Sequence, residues 1–153
     1  MTTVAEEIGR YLEQIGGTLI RRVDAEVAIP WPGQDKVMWP KADLSGELST
    51  GEKFIIEIDD HTDPAHSVVK YWPLLEAVQQ GGFDFPPICF VEVSSADETY
   101  GRGYQILAQF IGKQFEKLYP DKFRFAYLTL EGKGAAELAA VIMELLKGED
   151  KIP

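Results

Sequence analysis

The fold of this chain is decided by a predicted β-hairpin, Lys41-Ala-Asp-Leu-Ser-Gly-Glu-Leu48, Ser49-Thr-Gly51 and Phe54-Ile-Ile-Glu-Ile-Asp59. Gly51 ends a three-residue loop at a position that needs a left-handed backbone, which glycine adopts at little cost. In the second strand, Ile56 and Ile58 alternate with the acids, so one face of the sheet is apolar and the other is acidic. The loop length fixes which residues of the two strands face each other.

Three acids are predicted to share the polar face of this hairpin: Asp43, Glu57 and Asp59. The register set by the loop places Asp43 opposite Glu57, and Lys41 opposite Asp59. Side chains directly opposite on neighbouring strands lie about 5 Å apart, close enough for two carboxylates to bind one divalent cation. The hairpin therefore predicts a cation site built on Asp43 and Glu57.

Composition indicates one domain spanning residues 1–153, with 148–153 as a frayed tail. The chain is 45% hydrophobic, enough to build a substantial core. Its longest apolar runs, such as Ile88-Cys-Phe-Val91, fall far short of the ~20 residues of a membrane-spanning helix. Cys89 is the single cysteine, which excludes an internal disulfide and a cysteine-based zinc site. No signal peptide is recognisable at the start, and we expect a reducing, cytoplasmic environment.

The net charge of -10 bears on function. A protein that binds nucleic acid usually presents a basic stripe that neutralises phosphates, and no such stripe is visible here. Basic residues form only small groups, at Arg21-Arg22 and along Lys113, Lys117, Lys122 and Arg124. The charge therefore disfavours DNA as a partner, and we interpret these groups as solvated faces.

The remaining sequence predicts an α/β fold with a mixed sheet and helices on both faces. Its order is α-β-β-β-α-β-α-β-α. The first predicted elements are a helix from Val4 that Gly16-Gly17 ends, a strand over 23–29 and the two hairpin strands. They are followed by a helix from Asp63-Pro64 toward Val78 that is kinked at Pro73, and by a strand over 87–93. The last elements are a helix, a strand over 123–130 and a helix over 135–146, and the first of these helices has the predicted buried stripe Tyr104, Leu107, Ala108, Ile111, Phe115 and Leu118. These assignments rest on apolar periodicity, caps and helix breakers.

Two further features have weaker functional interpretations. Trp31 and Trp39, in the loop before the hairpin, could stack on a base, but an aromatic lid packed on the sheet is the favoured interpretation. His61 and His66 follow the acidic run that begins at Asp59 and could ligate a transition metal. Their spacing matches no known histidine motif, and we favour a helix entrance capped by Asp63.

With this order of elements, the acidic hairpin resembles the PD-(D/E)XK nuclease superfamily, which has the restriction-endonuclease-like fold, over most of the chain. The motif of that superfamily has an aspartate at the start of one strand, an acid on the next strand and a lysine two residues further on. Asp43 matches the aspartate, with Pro40 three residues ahead rather than adjacent, and Glu57 matches the second acid. Asp59 occupies the lysine position, which is the departure from the motif.

The resemblance implies a nuclease that hydrolyses DNA phosphodiester bonds with one or two Mg²⁺ or Mn²⁺ ions. Asp43 and Glu57 would be metal ligands, and Asp59 a third ligand or an acid that orients the water. Members of the superfamily often add a glutamate from the first helix, for which Glu6 or Glu7 is available here. Small nucleases of this fold often pair, so a homodimer is also implied.

In that superfamily the lysine orients or deprotonates the water and offsets charge on the phosphate. Relatives that lack it at the usual place commonly supply a basic group from the following helix, where Lys70 lies. Helical spacing turns Lys70 away from Val68 and Trp72, which favours a solvated side chain. Lys41 is the rival. Its alternative role is an exposed cross-strand ion pair worth about a few tenths of a kcal/mol.

Three functions stay open at this point. The first is the metal-dependent nuclease. The second is a nuclease-like domain that has lost cleavage and acts as a protein-interaction or regulatory module, which the missing lysine and the acidic charge both favour. The third is an unrelated α/β small-ligand binder with its pocket at the strand ends.

Overall fold

A computed structural model describes residues 2–31, 34–39, 41–59, 64–81, 85–95 and 101–148. The helices in these ranges are α1 (Val4–Ile15), α2 (Pro64–Val69), α3 (Trp72–Gly81), α4 (Gly101–Leu118) and α5 (Ala135–Lys147). The strands are β1 (Ile20–Ala25), β2 (Ile29–Trp31), β3 (Gln34–Trp39), β4 (Leu44–Leu48), β5 (Lys53–Asp59), β6 (Ile88–Ser94) and β7 (Phe123–Thr129).

Five of these strands form one mixed sheet in the order β1-β4-β5-β6-β7. The β1–β4 and β4–β5 pairs are antiparallel, whereas β5–β6 and β6–β7 are parallel. The predicted mixed α/β architecture is therefore confirmed. The loop predicted after β1 instead contains a second, two-stranded sheet of β2 and β3. Pro30 lies in β2, as a proline can in a strand that has only one neighbour.

The predicted hairpin register is confirmed. Leu44 pairs with Ile56 and Glu47 pairs with Lys53, and Gly51 has the positive φ of 92° that the loop requires. The first strand begins at Leu44, three residues later than the quoted stretch.

Two apolar cores lie on opposite faces of the main sheet. The face that we call the α2–α4 face is covered by α2, α3 and α4, and its core includes Ile55 and Phe90. The face that we call the α1–α5 face is covered by α1 and α5, and its core includes Leu44, Phe54 and Ile56. Because side chains alternate along a strand, Glu57 and Asp59 lie on the same face as Ile55.

Two sequence expectations are wrong: the end of the strand predicted over 23–29, and part of the predicted buried stripe of α4. The strand predicted over 23–29 ends at Ala25, because Glu26 has a positive φ of 54° that a strand does not accept. In α4, Ala108 and Phe115 are buried as predicted, but Tyr104, Leu107 and Leu118 are each about half exposed. Helical periodicity marked an apolar stripe wider than the side of α4 that packs against β7 and α2.

None of the helices in the described ranges is both long and apolar enough to cross a membrane. Helix α5 ends at a left-handed Gly148, and residues 149–153, most of the predicted tail, lie outside the described residues. The side chains of Trp31 and Trp39 lie outside them as well, as do Pro40 and residues 60–63.

Candidate functional site

Asp43 and Glu57 adjoin the last paired residues of the β4–β5 ladder. That ladder ends at the pair Leu44 and Ile56, and Asp43 directly precedes Leu44 while Glu57 directly follows Ile56. The Oδ2 atom of Asp43 accepts a 2.7 Å hydrogen bond from the backbone N–H of Ile58, which holds the carboxylate against β5. The charge of Asp43 also contributes to a raised pKa of Glu57. The two predicted acids therefore interact on one face of the sheet.

Lys70 and Tyr71 both bind the Glu57 carboxylate. The Nζ atom of Lys70 lies 2.6 Å from Oε1 of Glu57, and the Tyr71 hydroxyl donates a 2.7 Å hydrogen bond to the same oxygen. The Glu57 side chain is 4% exposed and the Lys70 side chain 24%. The expectation of a solvated Lys70 is therefore wrong, and this lysine is the basic group at the acidic hairpin.

A break in the predicted helix places these two residues. Helix α2 ends at Val69 and α3 begins three residues later. Pro73 has no N–H to donate to the carbonyl of Val69, and its ring would clash with that carbonyl. The predicted kink is thus a complete break, and Lys70 and Tyr71 lie in the turn between the two helices. Spacing along a continuous helix could not have given their direction.

The surroundings of Glu57 raise the pKa of its carboxyl group toward 7. Burial raises the pKa of Glu57 from 4.5 to about 7, although the contacts with Lys70 and Tyr71 counteract part of this rise. Burial and the Glu57 charge also raise the pKa of the Tyr71 hydroxyl, so that it stays a proton donor. Carboxyl groups with a pKa raised toward 7 are frequent at sites of acid–base chemistry.

The variant Lys70→Met is expected to lose about 2–4 kcal/mol of stability at pH 8, because it leaves a buried carboxylate without its ammonium partner. At pH 5, below the folded-state pKa of about 7, Glu57 is largely protonated in both proteins, so the loss is expected to be much smaller. Urea unfolding at the two pH values measures both. Lys117→Met, at an exposed residue of α4, is the control. Equal losses at pH 5 and pH 8 would contradict the coupling of Lys70 to Glu57.

Glu92, on β6, is a residue of this site that the sequence reasoning missed. It pairs in register with Glu57 and is 0% exposed. Within the described residues, neither of its carboxyl oxygens has a hydrogen-bond partner by geometry. Burial, followed by the neighbouring Asp59 carboxyl, raises the pKa of Glu92 to about 12, so this side chain is protonated at neutral pH. A single acid inside the apolar run Ile88-Cys-Phe-Val91 and Val93 was the available signal, because such burial is costly.

Polar side chains continue along the carboxyl ends of the parallel strands. Asp59 is in register with Ser94 on β6, and the Ser94 hydroxyl is hydrogen-bonded to that of Tyr127 on β7. Asp59 also lies close enough to Glu92 to act on its pKa. We define Asp43, Glu57, Asp59, Glu92 and Lys70 as the acidic site.

Three candidate residues, Lys41, Glu6 and Glu7, are not brought to the acidic site. Lys41 is exposed and precedes the β4 ladder, and among the described residues it forms no ion pair with Asp59. Glu6 belongs to the capping box at the start of α1, where its Oε2 accepts a 3.3 Å hydrogen bond from the backbone N–H of Thr3. Helix α1 packs on the α1–α5 face, so neither Glu6 nor the exposed Glu7 lies with Glu57.

The alternative histidine cluster is only partly described. His66 is exposed on α2, whereas His61 and Asp63 fall outside the described residues. In the part of the chain that is described, no three His, Cys, Asp or Glu side chains are grouped closely enough to hold a metal ion together. The carboxyl groups of the acidic site thus interact mainly as pairs, Asp43 with Glu57 and Asp59 with Glu92.

No protein-family model matches this sequence, and neither curated proteins nor solved structures gave a significant match to the chain.

Proposed function

We propose that this protein is a divalent-metal-dependent nuclease with a restriction-endonuclease-like fold, and that it hydrolyses DNA phosphodiester bonds. The observation that carries this proposal is the grouping of two acids and one amine on a single sheet face. Asp43 is hydrogen-bonded to the backbone of β5 beside Glu57, and the ammonium of Lys70 lies 2.6 Å from Glu57. These are the three residue types of the PD-(D/E)XK motif, with the lysine supplied by the turn between α2 and α3.

The residues of the acidic site fit a hard divalent cation in their chemistry. Carboxylate oxygens are the preferred ligands of Mg²⁺ and Mn²⁺, and the protonated Glu92, whose oxygens have no hydrogen-bond partner among the described residues, adds a carbonyl acceptor beside Asp59. Asp43 and Glu57 would hold the ion, and Asp59, which is not grouped with both of them as a ready third ligand, would orient the water molecule. The ion would supply activation of a water molecule and stabilisation of charge on the scissile phosphate.

Lys70 provides the positive charge that the motif position at Asp59 does not. Its ammonium is held by the Glu57 carboxylate, where it can donate a hydrogen bond to a phosphate oxygen or orient a water molecule. Tyr71 donates to Oε1 of the same carboxylate, which fixes the orientation of Glu57. Because Lys70 and Tyr71 share Oε1, neither of these two contacts uses the second oxygen, Oε2.

A metal titration followed by thermal melting is the direct test. Saturating Mg²⁺ or Mn²⁺ is expected to raise Tm by about 5–10 °C, since a ligand bound only by the folded state stabilises it by a few kcal/mol. Asp43→Asn is expected to lose most of this shift. Glu47→Gln, on the same hairpin but next to the loop and paired with Arg21, is expected to keep it.

Cleavage assays on single-stranded, duplex and flapped DNA then separate binding from catalysis. Metal-dependent cutting of any of these substrates supports the proposal. Absence of both the thermal shift and the cutting would refute it.

A second candidate is a nuclease-like module without cleavage, which acts through protein interaction or regulation. It is favoured by the ion pair of Lys70 with Glu57, because the ammonium already neutralises the carboxylate charge that would attract a metal ion. The lack of a ready group of three ligands in the described residues points the same way. A protein that shows no thermal shift with either metal would fit this second function.

A further inference from the structure

A cavity of about 320 Å³ lies on the α2–α4 face, at the end of the hairpin that carries the loop. Pockets of this volume are at the lower end of the range that holds small ligands. Helices α2, α3 and α4 cover the part of this face formed by β5, β6 and β7. The cavity is lined by residues of β1, β2, β4 and β5 and by Phe85.

The cavity combines apolar walls with basic groups. Ile29, Ile55 and Phe85 line it, and each of them is at least nine-tenths buried. Lys53 and Arg22 also line it, together with Asp24, whose Oδ2 atom accepts a 2.7 Å hydrogen bond from Nε of Arg22. The Nζ atom of Lys53 lies 6.0 Å from the centre of the Phe85 ring, and no carboxylate of the described residues forms an ion pair with it. A flat apolar group with an anion attached to it fits such a site.

The position of the cavity relative to the acidic site indicates which flat group with an attached anion it would bind. Ser45 and Ile55 line the cavity, and they lie two residues from Asp43 and Glu57 on the same face of β4 and β5. Two residues of a strand span about 7 Å, which is similar to the length of one extended nucleotide. A phosphate at Asp43 and Glu57 would therefore have its neighbouring nucleotide over this cavity.

We propose that this cavity binds one unstacked base of single-stranded DNA, with Lys53 contacting the adjacent phosphate. The inference rests on the proposed function, and it adds a substrate class. A base inside a duplex is stacked and could not enter, whereas single strands and flaps offer free bases. The apolar walls accept any base by its ring faces, so little sequence preference is expected.

Fluorescence anisotropy with a labelled oligothymidylate of about six nucleotides, a length suited to one short binding groove, tests the inference. EDTA is included so that the DNA stays intact. Lys53→Gln removes the charge and Ser45→Leu fills the cavity from the sheet. Each is expected to weaken binding about fivefold to tenfold, the effect of losing one phosphate contact or one stacked base. Lys117→Gln makes the same charge change on an exposed surface of α4 and is expected to change binding less than twofold.

The outcomes separate this inference from the proposed function. Unchanged binding in both cavity variants, with Tm values close to that of the parent, overturns the inference even if DNA is cleaved. Binding of decanoate that depends on Lys53, without binding of oligothymidylate, also overturns it and assigns the cavity to a small carboxylate. Cavity-dependent binding of oligothymidylate supports the base site. If no DNA is then cleaved with Mg²⁺ or Mn²⁺, the nuclease activity is refuted while the base site stands.

Discussion

Glu57→Gln is expected to lower metal-dependent DNA cleavage by at least about a thousandfold, because several kcal/mol of charge stabilisation depend on the anionic ligand. The substitution keeps the size of the side chain and an acceptor for the Tyr71 hydroxyl, so the fold is expected to survive. Lys70 loses its carboxylate partner in the same variant. A single change therefore removes both the negative charge of a proposed metal ligand and the carboxylate that holds the Lys70 ammonium. The measurement is the initial cleavage rate of the substrate that the parent protein cuts best.

The matched control for this prediction is Glu47→Gln. It removes the same charge from the same hairpin, but at a surface ion pair with Arg21 near the loop. Its cleavage rate is expected to stay within about twofold of the parent rate, as is usual for an exposed pair. A Glu57→Gln protein that melts normally and still cuts at the parent rate would eliminate the proposed mechanism.

Glu92→Gln is expected to make the metal-free protein more stable at pH 8 by roughly 2–4 kcal/mol. The folded protein keeps Glu92 protonated, with a pKa of about 12, whereas the unfolded chain ionises it above its ordinary value of 4.5. Each pH unit above that ordinary value costs the fold about 1.4 kcal/mol. Glutamine avoids this cost, and its amide can donate a hydrogen bond to the nearby Asp59 carboxylate.

The sign of this effect fixes its pH dependence. A raised folded-state pKa contributes stability that is complete below about pH 4.5 and declines as the pH rises toward the folded-state value. The advantage of Glu92→Gln is therefore expected to fall below about 1 kcal/mol at pH 5. Urea unfolding in EDTA at pH 5, 6.5 and 8 measures it. Glu13→Gln on the exposed face of α1 is the control, with little change at any pH.

A less stable Glu92→Gln protein at pH 8 would show that Glu92 is ionised in the fold. The predicted gain also bears on function, since a buried acid that lowers stability is typical of sites kept for binding or catalysis rather than for folding. Loss of the metal-induced rise in Tm in the same variant would place Glu92 among the ligands of the acidic site.

The hairpin could be predicted from the sequence in detail because its determinants are local. A glycine at the left-handed loop position and alternation along two short strands fix the register, and that register sets Asp43 opposite Glu57. Composition and periodicity likewise predicted the mixed α/β architecture. The hairpin depends only on residues 41–59, and the architecture was predicted from the spacing of residues within each element.

The rest of the site depends on packing between distant segments. Glu92 reaches Glu57 only because β6 pairs with β5 in parallel, and Glu6 is separated from it because α1 packs on the other face of the sheet. Spacing along one element carries no information about which strand becomes its neighbour or which face a helix covers.

The position of Lys70 depends both on the local sequence and on the packing of distant segments. The sequence by itself determined that Pro73 would disturb the helix, since a proline removes a backbone donor wherever it occurs. Only the tertiary structure decided that the helix would break completely and that the turn would direct the Lys70 ammonium to a buried carboxylate. The reason is energetic: a buried Glu57 needs a charged or hydrogen-bonding partner, and which side chain supplies it depends on how α2, α3 and β5 pack together.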